Sequence, residues 1–159
     1  MRERTIASHF VRAALRGAQR RGLDCQPLLR QAGIQDAVLR EPRARVDPAQ
    51  FARLIQCLWE TLDDEYLGFG RQPSRRGTFA MMGHTLIHCR SLDKALRRGS
   101  LFYGLFPDAP CITLQREGDW ARLSVDDQNP WDPAHFLAES LLVTWHRLGR
   151  WLIGQRTHL

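Results

Sequence analysis

His84 and His88, with Cys89 beside the second, are the residues whose types and spacing could do chemistry. They lie in GTFAMMGHTLIHC, residues 77–89. On a helix, positions i and i+4 share a face, so the two imidazoles could hold a metal. Zinc peptidases use that spacing with a glutamate after the first histidine, but Thr85 stands there. A zinc site also needs three or four ligands. Cys89 would point about 100° away from His88 on a helix, and His135 and His146 stand at no diagnostic spacing. Two other readings stay open for the segment. It is a pocket for an organic ligand, or a helix with one solvent-facing and one core histidine.

Other catalytic patterns are missing. The sequence has no GxSxG elbow, no P-loop and no GxGxxG. Asp63-Asp64-Glu65 and Asp126-Asp127 fall at expected element ends, where acidic residues act as caps or solvated turn residues. Nothing groups a nucleophile, a base and an oxyanion site, so no enzymatic activity, cofactor or metal is expected.

The elements that must position these residues follow from periodicity. Residues 5–21 keep helical spacing through Ile6, Phe10, Val11, Ala14, Leu15 and Ala18, and Gly22 is placed to end the helix. LDCQPLLRQAGI is a shorter helix stopped by Gly33, and DAVLREPRARV is turn-rich. Asp47, Pro48 and Gln50 form a capping-box start. After it, Phe51, Leu54, Ile55, Leu58, Trp59 and Leu62 form one apolar stripe. DDEYLGFGRQPSRRG reads as a loop with one helical turn at residues 65–69. From Thr78 onward Phe79, Met82, Leu86 and Cys89 share a face. Ser91 caps the next helix, with Leu92, Ala95, Leu96, Phe102 and Phe106 inward and Gly99 and Gly104 weakening its second half. After Pro110 the pattern alternates through Ile112, Leu114, Trp120, Leu123 and Val125, with Glu117-Gly118-Asp119 as the reversal. This predicts a β-hairpin over 111–126. Asp132 and Pro133 open a last helix that is apolar nearly all round, which implies burial. The fold class is α+β, several helices packed on a small antiparallel sheet that includes the hairpin. A lone hairpin is marginal in water, so further strands, in this chain or a partner, are expected.

At 159 residues the chain has the length of one domain. No apolar run approaches the ~20 residues that span a bilayer, and MRERTIASHF lacks the apolar core of a secretory signal. Cys25, Cys57, Cys89 and Cys111 form no CxxC pair. They read as buried free thiols of a cytoplasmic protein. The net charge of +6 is carried by 22 arginines and Lys94. The pairs Arg20-Arg21, Arg75-Arg76 and Arg97-Arg98 are scattered and each precedes a glycine, without the one-sided basic helix of a nucleic-acid reader. They read as solvated faces.

With these residues in place a resemblance emerges over nearly the whole chain. RGLDCQPLLRQAGI is similar to the RGLD…LL…AGI segment of the helix-rich, arabinose-binding-type sensor domains of AraC-family bacterial transcription regulators. ARVDPAQFARLIQCLWETLDDEYLGFGRQ resembles their next helix and D..LGL..G turn. GTFAMMGHTLIHCRSLDKALRRGSLFYGLF follows their G.FG.LG.A...S.TL.EAL.....Y pattern, with Ala80 at the second small position of G.FG and Ser91-Leu92-Asp93-Lys94-Ala95-Leu96 in place of TL.EAL. The resemblance implies an effector-binding and dimerisation domain over residues 1–159. It also implies more sensor-domain strands and a DNA-binding half with two helix-turn-helix units beyond them. A small organic effector is expected, with a carboxylate suited to the arginines. Phe79, Met82, His84, Phe102, Tyr103 and Trp145 are the candidate ligand-binding group, although methionine and aromatic stripes at helical spacing equally serve as core. The alternative is a dimerisation module that needs no ligand.

Overall fold

A computed structural model describes residues 5–107, 109–126 and 129–154. The elements run β1 (Ile6–Ala7), α1 (Ser8–Arg20), α2 (Gln26–Ala32), α3 (Ala37–Arg40), β2 (Arg45–Val46), α4 (Pro48–Leu62), α5 (Thr78–Leu86), α6 (Leu92–Tyr103), β3 (Ile112–Glu117), β4 (Trp120–Val125) and α7 (Phe136–Ile153). The α+β class is observed. The strands form two separate two-stranded antiparallel sheets among the described residues. One is the expected hairpin. The other pairs Ile6 with Val46 and Ala7 with Arg45, inside segments whose sequence reads as helix start and turn. Strands of two residues are too short to display a period of two.

Local chemistry sets the helix ends. Gly22 takes a left-handed φ of 77°. Its N–H and that of Leu23 donate to the Gln19 and Ala18 carbonyls at 2.9 and 3.1 Å, which closes α1 as a glycine C-cap does. Gly33 ends α2 in the same way, with Ile34 N–H on the Leu29 carbonyl at 2.9 Å. The capping box of α4 is present, Asp47 accepting from Ala49 N–H at 2.7 Å and Gln50 from Asp47 N–H at 3.0 Å. Ser91 Oγ accepts from Lys94 N–H at the start of α6.

The core joins α1 through Val11, Ala14, Leu15 and Ala18 to α2 through Leu29 and to α4 through Leu54 and Leu58. It continues through Phe69, Met82, Leu86, Tyr103, Trp145 and Leu148. Three expected inward features are corrected. Trp59 is partly exposed, its indole N–H donating to the Glu65 carbonyl at 3.2 Å. Helix α7 buries Phe136, Leu137, Trp145 and Leu148 but exposes Leu142, Val143 and Trp151. Its packing partners α1, α6 and β4 cover only part of its circumference. Phe106 also lies exposed, beyond the end of α6.

The hairpin pairs Ile112 with Val125 through Glu117 with Trp120, leaving Gly118-Asp119 as a two-residue turn with φ 61° at the glycine. Asp126 N–H donates to the Cys111 carbonyl at 2.8 Å, which carries the ladder to the expected bounds. Of its apolar residues only Ile112 is buried, and Trp120 is 82% exposed. No helix among the described residues is long and apolar enough to cross a membrane. All four cysteines are free thiols, but only Cys25 and Cys57 are buried. Cys89 lies in the turn after α5 and Cys111 at the root of the hairpin, where less of the structure covers them.

Candidate functional site

The site is built on α5, and α5 is set in place by the turn that precedes it. Gly17 of α1 and Gly68 of that turn touch through their backbones. A Cβ on Gly17 would lie 2.0 Å from the Leu67 carbonyl oxygen, and one on Gly68 would lie 2.6 Å from the Gly17 oxygen. Asp64, fully buried, holds the turn's shape. Its carboxylate accepts from the N–H groups of Tyr66, Gly68 and Ser74 at 2.9, 2.9 and 2.8 Å. Arg21 completes the set at 3.5 Å. Three N–H donors to one carboxylate satisfy groups that would otherwise be costly to bury. This corrects the expectation that Asp64 is a solvated turn residue or cap. Arg20 and Arg21 are exposed, as a solvated face would be, but both are also tied to the turn. Arg20 donates to the Gly68 and Gly70 carbonyls and stacks over Trp131 at 4.7 Å from the ring centroid, while Arg21 also reaches the Gly70 carbonyl. Arg75 and Arg76 pair with Asp63 and Glu60 on the surface. Arg97 pairs with Asp93, and Arg98 donates to the Thr85 carbonyl at 3.1 Å.

Glu65 then starts α5. Its two carboxylate oxygens accept from Gly77 N–H at 2.8 Å and Phe79 N–H at 2.9 Å, and a negative charge there also suits the helix dipole. Burial raises the Glu65 carboxyl above its ordinary range, against the lowering effect of those two N–H groups. No local sequence signal marked this residue as a cap, because it acts from twelve residues upstream. At the other end α5 stops at Leu86, so His88 falls in the following turn. The expectation that His84 and His88 share one helix face therefore fails, and neither is a core histidine, since both are exposed. No group of three or more metal-ligating side chains gathers among the described residues.

Helix α6 packs against both α5 and α7. Gly99 makes the closest approach. A Cβ there would meet Trp145 Cη2 at 2.8 Å and Met82 Sδ at 3.1 Å. The glycine that weakens the helix by propensity is thus the contact point of three helices. A groove of about 620 Å³ opens between α5 and α7. Helix α5 and its cap contribute Phe79, Ala80, Gly83, His84 and Ile87, and α7 contributes Thr144, Arg147, Leu148 and Trp151. The size and the mostly apolar lining with few polar groups are those of a small-molecule site.

The structure divides the sequence-derived candidates. Phe79 and His84 line the groove. Met82, Tyr103 and Trp145 meet in the buried core, Tyr103 lying 6.2 Å from Trp145 and 6.4 Å from Tyr66 between ring centroids. Burial, and then the neighbouring Tyr66, raise the Tyr103 hydroxyl above its ordinary range, so it stays protonated. Phe102 is half-buried and packs against Phe106 at 5.3 Å, apart from the groove. Sequence reasoning passed over Thr144, Arg147, Leu148 and Trp151. Their spacing of three, four and seven residues is a helix-face signal, but in a helix apolar nearly all round it does not stand out.

The chain matches the family described as the arabinose-binding domain of AraC transcription regulator, N-terminal, over residues 22–159. No curated protein and no solved structure matches it. The match takes in the capped helices, the Asp64 turn, α5, the hairpin and α7. The chain belongs to the family of arabinose-binding amino-terminal domains of AraC transcription regulators, which are regulatory domains and not enzymes.

Proposed function

We propose that the chain is an effector-sensing domain whose ligand lies in the α5–α7 groove and whose occupancy controls DNA binding by a separate carboxy-terminal domain. The observation that carries this reading is the groove itself, where His84 and Arg147 face an otherwise largely apolar lining. An arginine suits a carboxylate, and Phe79, Ile87, Leu148 and Trp151 suit an alkyl chain. Arabinose, the sugar in the family's name, offers a hydroxyl on most of its carbons. The groove's polar side chains are His84, Thr144 and Arg147, with the Trp151 indole N–H as one further donor, few for the hydroxyls of a pentose. A carboxylic acid with an apolar chain fits better. Its binding would shift a conformational equilibrium by its difference in affinity for two states, and α5 and α7 are the elements it would draw together or apart.

The test is a thermal-shift series with decanoate, decanol, amino acids and arabinose on wild type, His84→Ala and Arg147→Ala. Decanoate is expected to stabilise the wild type in a saturable way, and Arg147→Ala to weaken it by about tenfold or more. Stabilisation by arabinose alone, or decanoate binding unaffected by Arg147→Ala, would overturn the reading. A second reading is favoured by the exposure of Met81, Ile87, Val143 and Trp151 on these same helices. In it the face joins two copies of the chain without a ligand. Sedimentation over a range of concentrations separates the two, since a tight dimer indifferent to every compound supports only the second.

A further inference from the structure

The positive charge of the chain is unevenly placed. Residues 5–62 carry nine arginines against five carboxylates, whereas residues 63–154 carry eleven basic and eleven acidic side chains. Helix α1 gathers part of the excess. It buries seven of its thirteen residues, and no carboxylate stands in it. The polar residues among the rest, His9, Arg12, Arg16, Gln19 and Arg20, span about 100° of its circumference. This basic face does not show in the sequence, because the alanines and the glycine between the arginines give no sign that they are buried.

The β1–β2 pair and α3 extend the stripe at its amino-terminal end. Arg12 donates to Ser8 Oγ at 3.0 Å and to the Leu39 carbonyl at 3.4 Å, which brings Arg40 of α3 beside it. Ser8 N–H donates to the Ala44 carbonyl at 2.9 Å, so Arg43 and Arg45 flank a residue held against the start of α1. Arg45 donates to Thr5 Oγ1 and to the Thr5 carbonyl at 2.8 Å. Arg16, Arg40, Arg43 and Arg45 are exposed and Arg12 is half-buried. None of these five guanidiniums pairs with a carboxylate among the described residues. Hydroxyl and carbonyl acceptors fix Arg12 and Arg45 without cancelling their charge. The carboxylates at the two ends of α3 are Asp36 and Glu41, and Glu41 accepts from Arg43 N–H at 3.2 Å. Five arginines against these two leave the face positive. By contrast, Arg75, Arg76 and Arg97 are each paired with a carboxylate.

We infer that this face, formed by Arg12, Arg16, Arg40, Arg43 and Arg45, is a contact surface for the phosphate backbone of duplex DNA, bound without regard to sequence. Duplex DNA presents one negative charge per about 1.7 Å of its axis. Helix α1 is about 20 Å long, so several phosphates come within reach of the face at once. Two other anionic partners fit less well. Single strands are held by aromatic platforms as well as by charge, and the one exposed ring of the stripe, His9, is stacked on Phe10 at 4.1 Å between centroids. A lipid surface takes up helices with a free apolar side, and that side of α1 is buried in the core. The separate DNA-binding domain proposed above would hold this face beside a duplex, where even weak backbone contact adds to affinity. The charge argument itself needs neither that domain nor an effector in the α5–α7 groove.

The test is fluorescence anisotropy of two short labelled duplexes of unrelated sequence, titrated with the 159-residue chain. A single strand and phosphatidylglycerol vesicles are run beside them. The two duplexes are expected to bind equally, and about four phosphate contacts imply a loss of affinity of about a hundredfold between about 50 and 200 mM salt. Arg16→Glu combined with Arg40→Glu and Arg43→Glu changes only exposed side chains and is expected to abolish binding with Tm unchanged. Arg90→Glu combined with Lys94→Glu and Arg116→Glu lowers the net charge equally and is expected to weaken binding by about threefold at most. Where the first triple variant fails to fold, Arg16→Gln alone is expected to reduce the salt slope by about one. No duplex binding at low salt, affinity indifferent to salt, equal losses in the two triple variants, an unchanged slope in Arg16→Gln, or tighter binding of the single strand or the vesicles would each overturn the assignment.

Discussion

Gly17→Ala and Gly83→Ala are the same chemical change, a methyl group added to a helical glycine, and the structure predicts opposite results. By helix propensity alone each substitution stabilises by about 1 kcal/mol. At Gly83 nothing lies within 4 Å of the added Cβ, so the gain of about 0.5–1 kcal/mol should be realised. At Gly17 the Cβ would sit 2.0 Å from the Leu67 carbonyl oxygen and about 3 Å from two more backbone atoms of the turn. Those atoms belong to backbone held by the three N–H bonds to Asp64, so they cannot move aside independently. Relief requires the turn to shift by more than an ångström against that clamp. Overpacking of this kind costs about 3 kcal/mol or somewhat more, which leaves a net loss of about 2 kcal/mol after the propensity gain. For a chain of this size that is a fall of about 4–8 °C in Tm. Urea unfolding of the three proteins, followed by circular dichroism, measures both changes on one scale. A Gly17→Ala protein as stable as wild type would refute the close packing of α1 on the turn. Loss of stability in Gly83→Ala would refute the open space beside α5.

Asp64→Ala should cost about 3–5 kcal/mol, because it leaves three buried N–H groups and Arg21 without their acceptor, whereas Asp63→Ala, on the surface beside it, should change stability by less than about 1 kcal/mol; chemical denaturation of both variants checks this. Glu65→Gln tests the cap of α5 through pH. The folded-state carboxyl is raised above its ordinary 4.5, so its contribution is fully present below that value and is lost as pH rises through the raised one. The glutamine variant does not titrate there. Its deficit relative to wild type should therefore be largest in acid and narrow as pH rises, and a deficit that is constant or widens contradicts the assignment. Trp120→Ser should leave stability unchanged within about 0.5 kcal/mol, since the side chain is exposed at the hairpin tip, and thermal unfolding is sufficient to see it.

Features whose cause is local were legible in the sequence. The Asp47–Gln50 box, the Ser91 cap, the glycines that end α1 and α2 and the place of the hairpin reversal, though not its two-residue length, each depend on residues within a few positions of one another. Asp64 was not legible. An acidic residue in a glycine-rich loop has the composition of a solvated turn, and what buries it arrives from α1 and from Ser74 ten residues on. Gly99 carries a helix-weakening signal, and only the convergence of Trp145 and Met82 from other helices gives it its purpose. The candidate group Phe79, Met82, His84, Phe102, Tyr103 and Trp145 mixed two surfaces because periodicity gives the faces of one helix without saying which neighbour each face meets. Phe79 and His84 stand on the groove side of α5, and Met82 stands on the α6 side. The β1–β2 pairing joins two dipeptides some forty residues apart, beyond the reach of any pattern along the chain.

The tryptophans offer the most direct measurement of the central claim. Trp151 lines the groove and is 67% exposed, Trp145 is buried beside Gly99, and Trp131 borders a smaller cavity at the root of the hairpin. Their indole N–H resonances can be followed separately while decanoate is added. The account predicts a saturable shift at Trp151, lost in Arg147→Ala, with Trp145 and Trp131 nearly still. A shift centred on Trp145 or Trp131 with Trp151 unmoved would place the effector elsewhere and contradict it.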